Sequence, residues 1–210
     1  MELPCGRPLC LNLDLRRIPL FPLPVVLFPG AMMPLHLFEP RYRQMAAHCL
    51  EGDKRFGLLY HDPDHHGPFR MEQGRVGCIA EILKFQPLPD GRSLILAGGI
   101  ERFVLEDGIE SEALYYEGLI HEQPDITDSQ PGLLQRRRHS IQLFHQVAEK
   151  VMEQPETAPQ IDERLETAYQ IAQAVRVDPT WQQELLETRD ERDRLDHVDT
   201  LLRTVLENEE

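Results

Sequence analysis

Residues 18 to 45, IPLFPLPVVLFPGAMMPLHLFEPRYRQM, constrain the fold more than any other part of the chain. The run is apolar, carries six prolines (Pro19, Pro22, Pro24, Pro29, Pro34, Pro40), and has no charge until Glu39. Proline fixes φ and has no backbone N–H, so it fits neither a helix interior nor a central strand. The expected structure is therefore short, interrupted strands: about Val25 to Phe28, a turn at Pro29-Gly30, then Met32 to Phe38. Pro40 fits the first position of a helix, where its missing N–H costs nothing. That helix would hold Tyr42, Met45 and Ala46.

The segments PLFPL, VLFPG and PLHLFEPRYR, followed by the later GR…AGGIERF stretch, resemble the N-terminal, substrate-recognition domain of the Lon protease family. The resemblance is ordered over about the first 125 residues, and QQELLETRDERDRLDHVDTLL resembles the helical part that follows in such proteins. It implies an α+β fold: a small twisted β-barrel-like domain (pseudo-PUA, Lon-N-like), then a C-terminal helical bundle.

The rest of the chain can be read from its periodicity. Arg41 to Leu50 is expected as a helix, RFGLLY (55–60) as a strand, and HDPDHHGP (61–68) as a breaker-rich surface loop. Alternation over Val76–Leu83 predicts a strand, Pro87–Gly91 a hairpin turn, and Ser93–Leu96 its return. Gly98-Gly99 suggests a bulge or sharp bend before a strand at Ile100–Leu105. Tyr115–His121 is one more strand, and a small barrel would close the strand edges. After a polar connector at 124–132 the period becomes helical. Helices are expected over about 133–154, from Ile161 to Val175, after the Asp178-Pro179 cap, and after a Thr188-x-x-Glu191 capping box. The expected division is residues 1–123, β-rich, and 124–210, helical.

Composition narrows the function. A net charge of −14 argues against a nucleic-acid surface, and lysine occurs only at positions 54, 84 and 150. The run Arg136-Arg137-Arg138 reads as a solvated helical face. An RNA-binding, PUA-like function stays as an alternative, because the family's barrel resembles folds that bind RNA. No run reaches the roughly 18 apolar residues of a membrane span, and the first residues do not have the order of a secretory signal. A cytoplasmic location is expected. Cys5, Cys10, Cys49 and Cys78 form no CxxC pattern, and the last two are expected as buried free thiols.

A GxxxxGK[ST] phosphate loop is absent from the sequence. None of Ser93, Ser111 and Ser140 is set beside a lysine or in a nucleophile-elbow pattern. The resemblance places Lon-type Ser–Lys chemistry in a separate domain, so the chain is expected to be no enzyme and to need no cofactor. His61, Asp62, Asp64, His65 and His66 form the most ligand-like cluster, and an unrecognised enzyme built on it is a further alternative. The plainer reading is a polar surface loop, and no metal site is assigned.

What remains is recognition of polypeptide, in the manner the resemblance implies, by a module without ATPase or peptidase parts that acts as an adaptor in proteolysis or quality control. The candidate peptide-binding residues are Met32, Met33, Leu35, Phe38, Arg41 and Tyr42. Methionine and aromatic groups suit an adaptable apolar surface, and arginine offers paired donors to carbonyl or carboxylate oxygens. The competing reading makes Glu39, Tyr42 and an arginine a brace for the helix start, and buries at least half of the apolar set. The expected partners are unfolded polypeptides or client proteins, with a protease or chaperone receiving them.

Overall fold

Strand β1 (Arg16–Leu23) tolerates Pro19 and Pro22 by dividing its partners. Residues 16–20 pair antiparallel with β6 (Tyr116–Glu122), and residues 20–23 pair parallel with β3 (Arg55–Tyr60). Each half has one ladder neighbour along this pairing, so a missing N–H can face the open side. The computed structural model describes residues 14–126, 131–175 and 177–208. Cys5 and Cys10 lie outside the described residues.

The strand expected at Val25–Phe28 does not form. Those residues follow β1 as irregular chain, and Val26, Leu27 and Phe28 are buried. Pro24 and Pro29 bracket a segment whose apolarity serves the core, not a ladder. Gly30, at φ +80°, then turns the chain into β2 (Met32–Leu37). Helix α1 (Pro40–Glu51) starts with Pro40 as expected.

The fold is α+β, built on one mixed six-stranded sheet in the order β2-β5-β4-β3-β1-β6, with β4 at Val76–Pro87 and β5 at Ser93–Ile109. The 17 residues of β5 run as one strand through Gly98-Gly99, and a register shift there marks the bulge. The far half of β5 also pairs with β6, so the sheet curls on itself. It is not a closed barrel: β2 pairs only with β5 and leaves one edge open. Inside the curl, Ile18, Leu20, Leu59, Ile79, Phe103, Leu105 and Ile120 form a small separate core.

Close backbone approach sets the glycines of this sheet. A Cβ on Gly99 would fall on the carbonyl oxygen of Phe28, and one on Gly77 would lie 2.5 Å from that of Leu58. Neither oxygen belongs to a flexible side chain, so any substitution must displace backbone.

The helical part comprises α3 (Leu133–Val151), a 3₁₀ turn (Pro155–Thr157), α4 (Thr167–Ala174), α5 (Pro179–Glu187) and α6 (Glu191–Asn208). Helix α4 starts later than Ile161 because Glu166 caps it, accepting the Tyr169 N–H at 2.7 Å. The Thr188–Glu191 capping box is not made. Thr188 ends α5, Asp190 accepts the Arg192 N–H at 2.8 Å, and Glu191 pairs instead with Arg137. Phe28 stacks on Tyr169 at 4.8 Å, and one apolar core runs from β1 and α1 to Leu202 of α6.

Across this junction lies a buried ionic cluster. The Arg194 side chain has no exposed surface; it donates to Asp125 at 2.6 Å and Glu166 at 3.0 Å, and lies over the Tyr169 ring. Arg102 of β5, also buried, donates to the same Asp125 and to the carbonyls of Leu186 and Thr188. Burial alone disfavours the Arg194 charge, yet Asp125 and Glu166 raise its pKa above the ordinary arginine value. The arginine run of α3 is likewise not a free face: Arg136 pairs with Asp196, Arg137 with Glu191 and Arg138 with Glu163. Cys49 and Cys78 are buried free thiols, pushed up to about 12 by burial.

Removing one member of a buried pair strands its partners, so Arg194→Ala is expected to cost about 3–5 kcal/mol in urea unfolding. Gly99→Ala is expected to cost about 1–3 kcal/mol by the same measurement. Gly52→Ala, where a Cβ meets nothing nearer than 3.7 Å, should change stability by less than about 0.5 kcal/mol.

Candidate functional site

Where β1 ends, β2 ends and α1 begins, three chain segments converge on a groove of about 490 Å³. Its floor and near wall come from Phe21–Pro24 and from the start of α1. The far wall comes from the segment after β3, which includes the single-turn helix α2 (Pro63–His66) and contributes His61, Pro63, Pro68 and Phe69. Tyr116 of β6, His36 and Phe38 complete the lining.

The sequence explains this lining. Four wall residues are prolines (Pro22, Pro24, Pro63, Pro68), which present flat apolar rings and no N–H. Between them sit aromatic rings in contact: Phe69 with Tyr116 at 4.8 Å, His61 with Phe69 edge-on at 5.2 Å, and Phe21 with Tyr42 at 4.0 Å. Phe38 is 60% exposed, an unusual state for a phenylalanine beside a core. The main polar element is Arg41. Its guanidinium bonds Glu39 at 2.8 Å and lies 4.6 Å over the Tyr42 ring, with Tyr116 at 6.0 Å. Tyr42 is buried, and burial pushes its hydroxyl up to about 12, so it stays protonated and able to donate.

Of the six candidate residues, the groove brings together Phe38, Arg41 and Tyr42. Met33 and Leu35 turn inward and pack half-buried against the main core. Met32 points outward on β2 and is 68% exposed, away from the groove lining. Of the other lining residues, Phe69 and Tyr116 were not marked as candidates by the sequence, and His61 was marked only as part of a ligand-like cluster. They meet Phe38 and Tyr42 only through tertiary folding.

The open edge of β2 is blunted. Gly99 N–H donates to the Ala31 carbonyl at 2.9 Å, which sets the alternation: Met33, Leu35 and Leu37 face β5, and Met32, Pro34 and His36 present their main chain outward. Proline thus occupies the middle of the free edge, where it offers no donor.

The histidines after β3 do not converge. His61 bonds the Gly67 carbonyl at 2.9 Å, His65 bonds Asp62 at 2.7 Å, and His66 bonds the Asp62 carbonyl at 3.0 Å. Among the described residues no group of three or more His, Cys, Asp or Glu side chains is placed to hold a metal ion. Likewise, no helix is long and apolar enough to cross a membrane. A second, polar cavity of about 370 Å³ lies between the post-β3 segment and α5, lined by His61, His66, Arg70, Arg75, Gln183 and Glu187 among others.

A family model described as the ATP-dependent protease La (LON) substrate-binding domain matches residues 17–204. The chain belongs to this family. It is 27% identical over 205 residues to a Lon protease of Xanthomonas oryzae pv. oryzae, covering 93% of this chain and 24% of that protein. With a Lon protease of Methylocella silvestris the identity is 28% over 187 residues, covering 84% and 22%. The chain thus spans less than a quarter of the length of either curated relative. Among solved structures, the N-terminal domain of Mycobacterium avium complex Lon protease superposes with a TM-score of 0.66 at 14% identity, covering 90% of this chain and 98% of that one. The Lon N-terminal domain protein from Xanthomonas campestris gives 0.62 at 23%, covering 87% and 96%. These two structures bear on the fold. What is matched is the Lon substrate-binding domain, the part in which the groove lies.

In this Lon-family domain the groove residues divide by burial. Phe38→Ala is expected to leave stability within about 0.5 kcal/mol, the range of exposed sites. Tyr42→Ala should cost about 3–5 kcal/mol, as for a buried aromatic. Thermal and urea unfolding of the two variants would check this, and only Phe38→Ala is then fit for binding experiments.

Proposed function

We propose that this chain is a non-catalytic recognition module that binds polypeptide segments in the proline- and aromatic-walled groove beside Phe38 and Arg41, as an adaptor that presents clients to a protease or chaperone. The exposed Phe38 in the lining of an apolar groove carries the reading, since concave apolar sites with a few placed polar groups are where ligands bind. Membership of a substrate-binding domain family supports it. So does the sequence, which contains no phosphate-cradling loop. In this reading residues up to about 123 supply the groove and residues from 124 onward form a helical part that backs the sheet.

Arg41 and Tyr42 give the groove donors for the carbonyl oxygens of an extended segment. Strand addition at β2 is the weaker mode, because Pro34 interrupts the donor row of that edge. Nucleic acid finds little purchase, since each arginine of the run at 136–138 is already ion-paired.

A photo-crosslinking residue placed at Phe38 tests the reading, with casein as an unfolded probe. The control is the same residue at Leu165, which is equally exposed (60%) but lies far along the chain in the helical part. Crosslinks at position 38 that excess unlabelled casein competes away are expected, with few at 165. Equal labelling at both positions, or none at 38, would overturn the assignment of the groove.

A further inference from the structure

We propose that the polar cavity between the segment after β3 and α5 binds a small zwitterion of the kind basic amino acids provide, with its carboxylate on Arg75 and its side-chain cation toward the glutamates of α5. The site is separate from the groove. His61 and Pro68 line both spaces, but Arg70, Glu72, Arg75 and the residues of α5 line the cavity alone.

At about 370 Å³ the cavity falls within the range of small-molecule sites, roughly 300–1,000 Å³. Its two walls are tied together: Gln183 of α5 donates from Nε2 to the Val76 carbonyl of β4 at 3.0 Å, and to Glu187 at 2.8 Å. The lining is sorted by burial. Tyr60, Arg75 and Gln183 are half-buried, whereas Arg70, Glu72, Glu184 and Glu187 are exposed. The inner charge is therefore a single guanidinium, and the outer charges are mostly carboxylates.

Arg75 is held ready for an anion. Its guanidinium donates to the carbonyls of Tyr60 and Arg70 and lies 5.0 Å over the Phe69 ring. Those partners fix its orientation, but they are neutral and use only part of its donor set. Arg102, Arg137 and Arg194 are each paired with a carboxylate. Arg75 makes no ion pair among the described residues, and Glu72 and Glu187 act on it only from farther off. A cation withdrawn from water without a counter-ion is costly, and a ligand carboxylate would supply one through charge-assisted hydrogen bonds.

The exposed side selects the rest of the ligand. On the segment after β3, Arg70 and Glu72 offset each other, so the glutamates of α5 set the sign there. Glu187 accepts from Gln183, and Glu184 has no side-chain partner among the described residues. A plain anion would satisfy Arg75 and be repelled by these two carboxylates. A molecule that carries a cation a short aliphatic chain away from its carboxylate satisfies both.

Proton–nitrogen NMR of the full chain tests the site by titration with L-lysine, L-lysinamide and acetate at one ionic strength. Saturable shifts with L-lysine are expected at residues 70–76 and 180–187. L-lysinamide lacks the carboxylate and acetate lacks the cation, so each should bind about tenfold more weakly, the scale of one hydrogen bond to a charged group. Arg75→Gln should abolish the preference for L-lysine over L-lysinamide. That variant also loses the hold on two carbonyls, so Glu184→Lys, at an exposed position, gives a second reading: L-lysine should weaken several-fold and L-glutamate should bind in its place. Nα-acetyl-L-lysine separates the two sources of this chemistry, binding like L-lysine for a chain end and more weakly for a free amino acid. The proposal is overturned by the absence of saturable shifts up to about 50 mM, or by L-lysinamide or acetate binding as tightly as L-lysine. Selectivity left unchanged in Arg75→Gln or in Glu184→Lys would overturn it as well. No polypeptide is present, so the result stands apart from the crosslink at Phe38.

Discussion

Two arginines sharing one aspartate hold this molecule together. Arg102 from the middle of β5 and Arg194 from α6 both donate to Asp125, on the connector between the sheet and the helical part. Each guanidinium is withdrawn from water, an arrangement that costs several kcal/mol per ion unless the remaining donors are filled. They are filled here: the carbonyls of Leu186 and Thr188 complete Arg102, and Glu166, the Thr188 carbonyl and the Tyr169 ring complete Arg194. What such a network gives over an apolar contact is direction. Five elements meet at fixed angles, and α5 is thereby held against the β3–β4 side of the sheet, where Gln183 donates to the Val76 carbonyl at 3.0 Å. The polar cavity lined by the segment after β3 has α5 as its other wall.

Little of that cluster was visible in the sequence, for a definite reason. Arg102, Asp125, Glu166 and Arg194 are scattered over more than ninety positions, and at each one a charged residue is unremarkable until folding removes its water. The arginine run was legible only in part: Arg138 stays solvated as a helical face would, but Arg137 is withdrawn against Glu191, and each of the three meets an acid from elsewhere. Local chemistry was legible. Pro40 at the start of α1, Asp178 capping α5, the hairpin turn before β5 and the bulge near Gly99 all follow from the geometry of single residues. The two local misreadings each had a non-local competitor. Val25–Phe28 has the composition of a strand but Val26, Leu27 and Phe28 were wanted by the core, and Glu191 has the spacing of a capping box but was taken by Arg137. For the candidate site, the chain order placed Phe38, Arg41 and Tyr42 next to one another, while the part of the lining from His61 to Phe69 required the segment after β3 to fold back.

Proline has one physical effect throughout this region. In β1 it sits where a ladder is open, on β2 it faces the free edge, and in the groove it lines both walls. At each place it removes a main-chain donor that a passing strand could otherwise engage. Under the reading proposed here, the same residues that protect the molecule from edge-to-edge pairing leave a groove that reads side-chain surface and shape, with hydrogen bonds left to the few polar side chains of its lining, Arg41 and Tyr42 among them.

That restriction sets the strength of the interaction. Burying one large apolar side chain contributes about 1.5–3 kcal/mol, against about 0.5–1.5 kcal/mol to immobilise it and several more for association itself. A groove of about 490 Å³ admits few such side chains at once, so a single short segment is held weakly and leaves quickly. Useful retention then needs several segments of one client, or several copies of the groove, engaged together. A folded protein cannot supply such segments, because its own core has already buried them; an unfolded one supplies many. Under the reading proposed here, selectivity for the unfolded state comes from this weakness: discrimination rests on how many apolar segments a client exposes, and not on which sequence any one of them has.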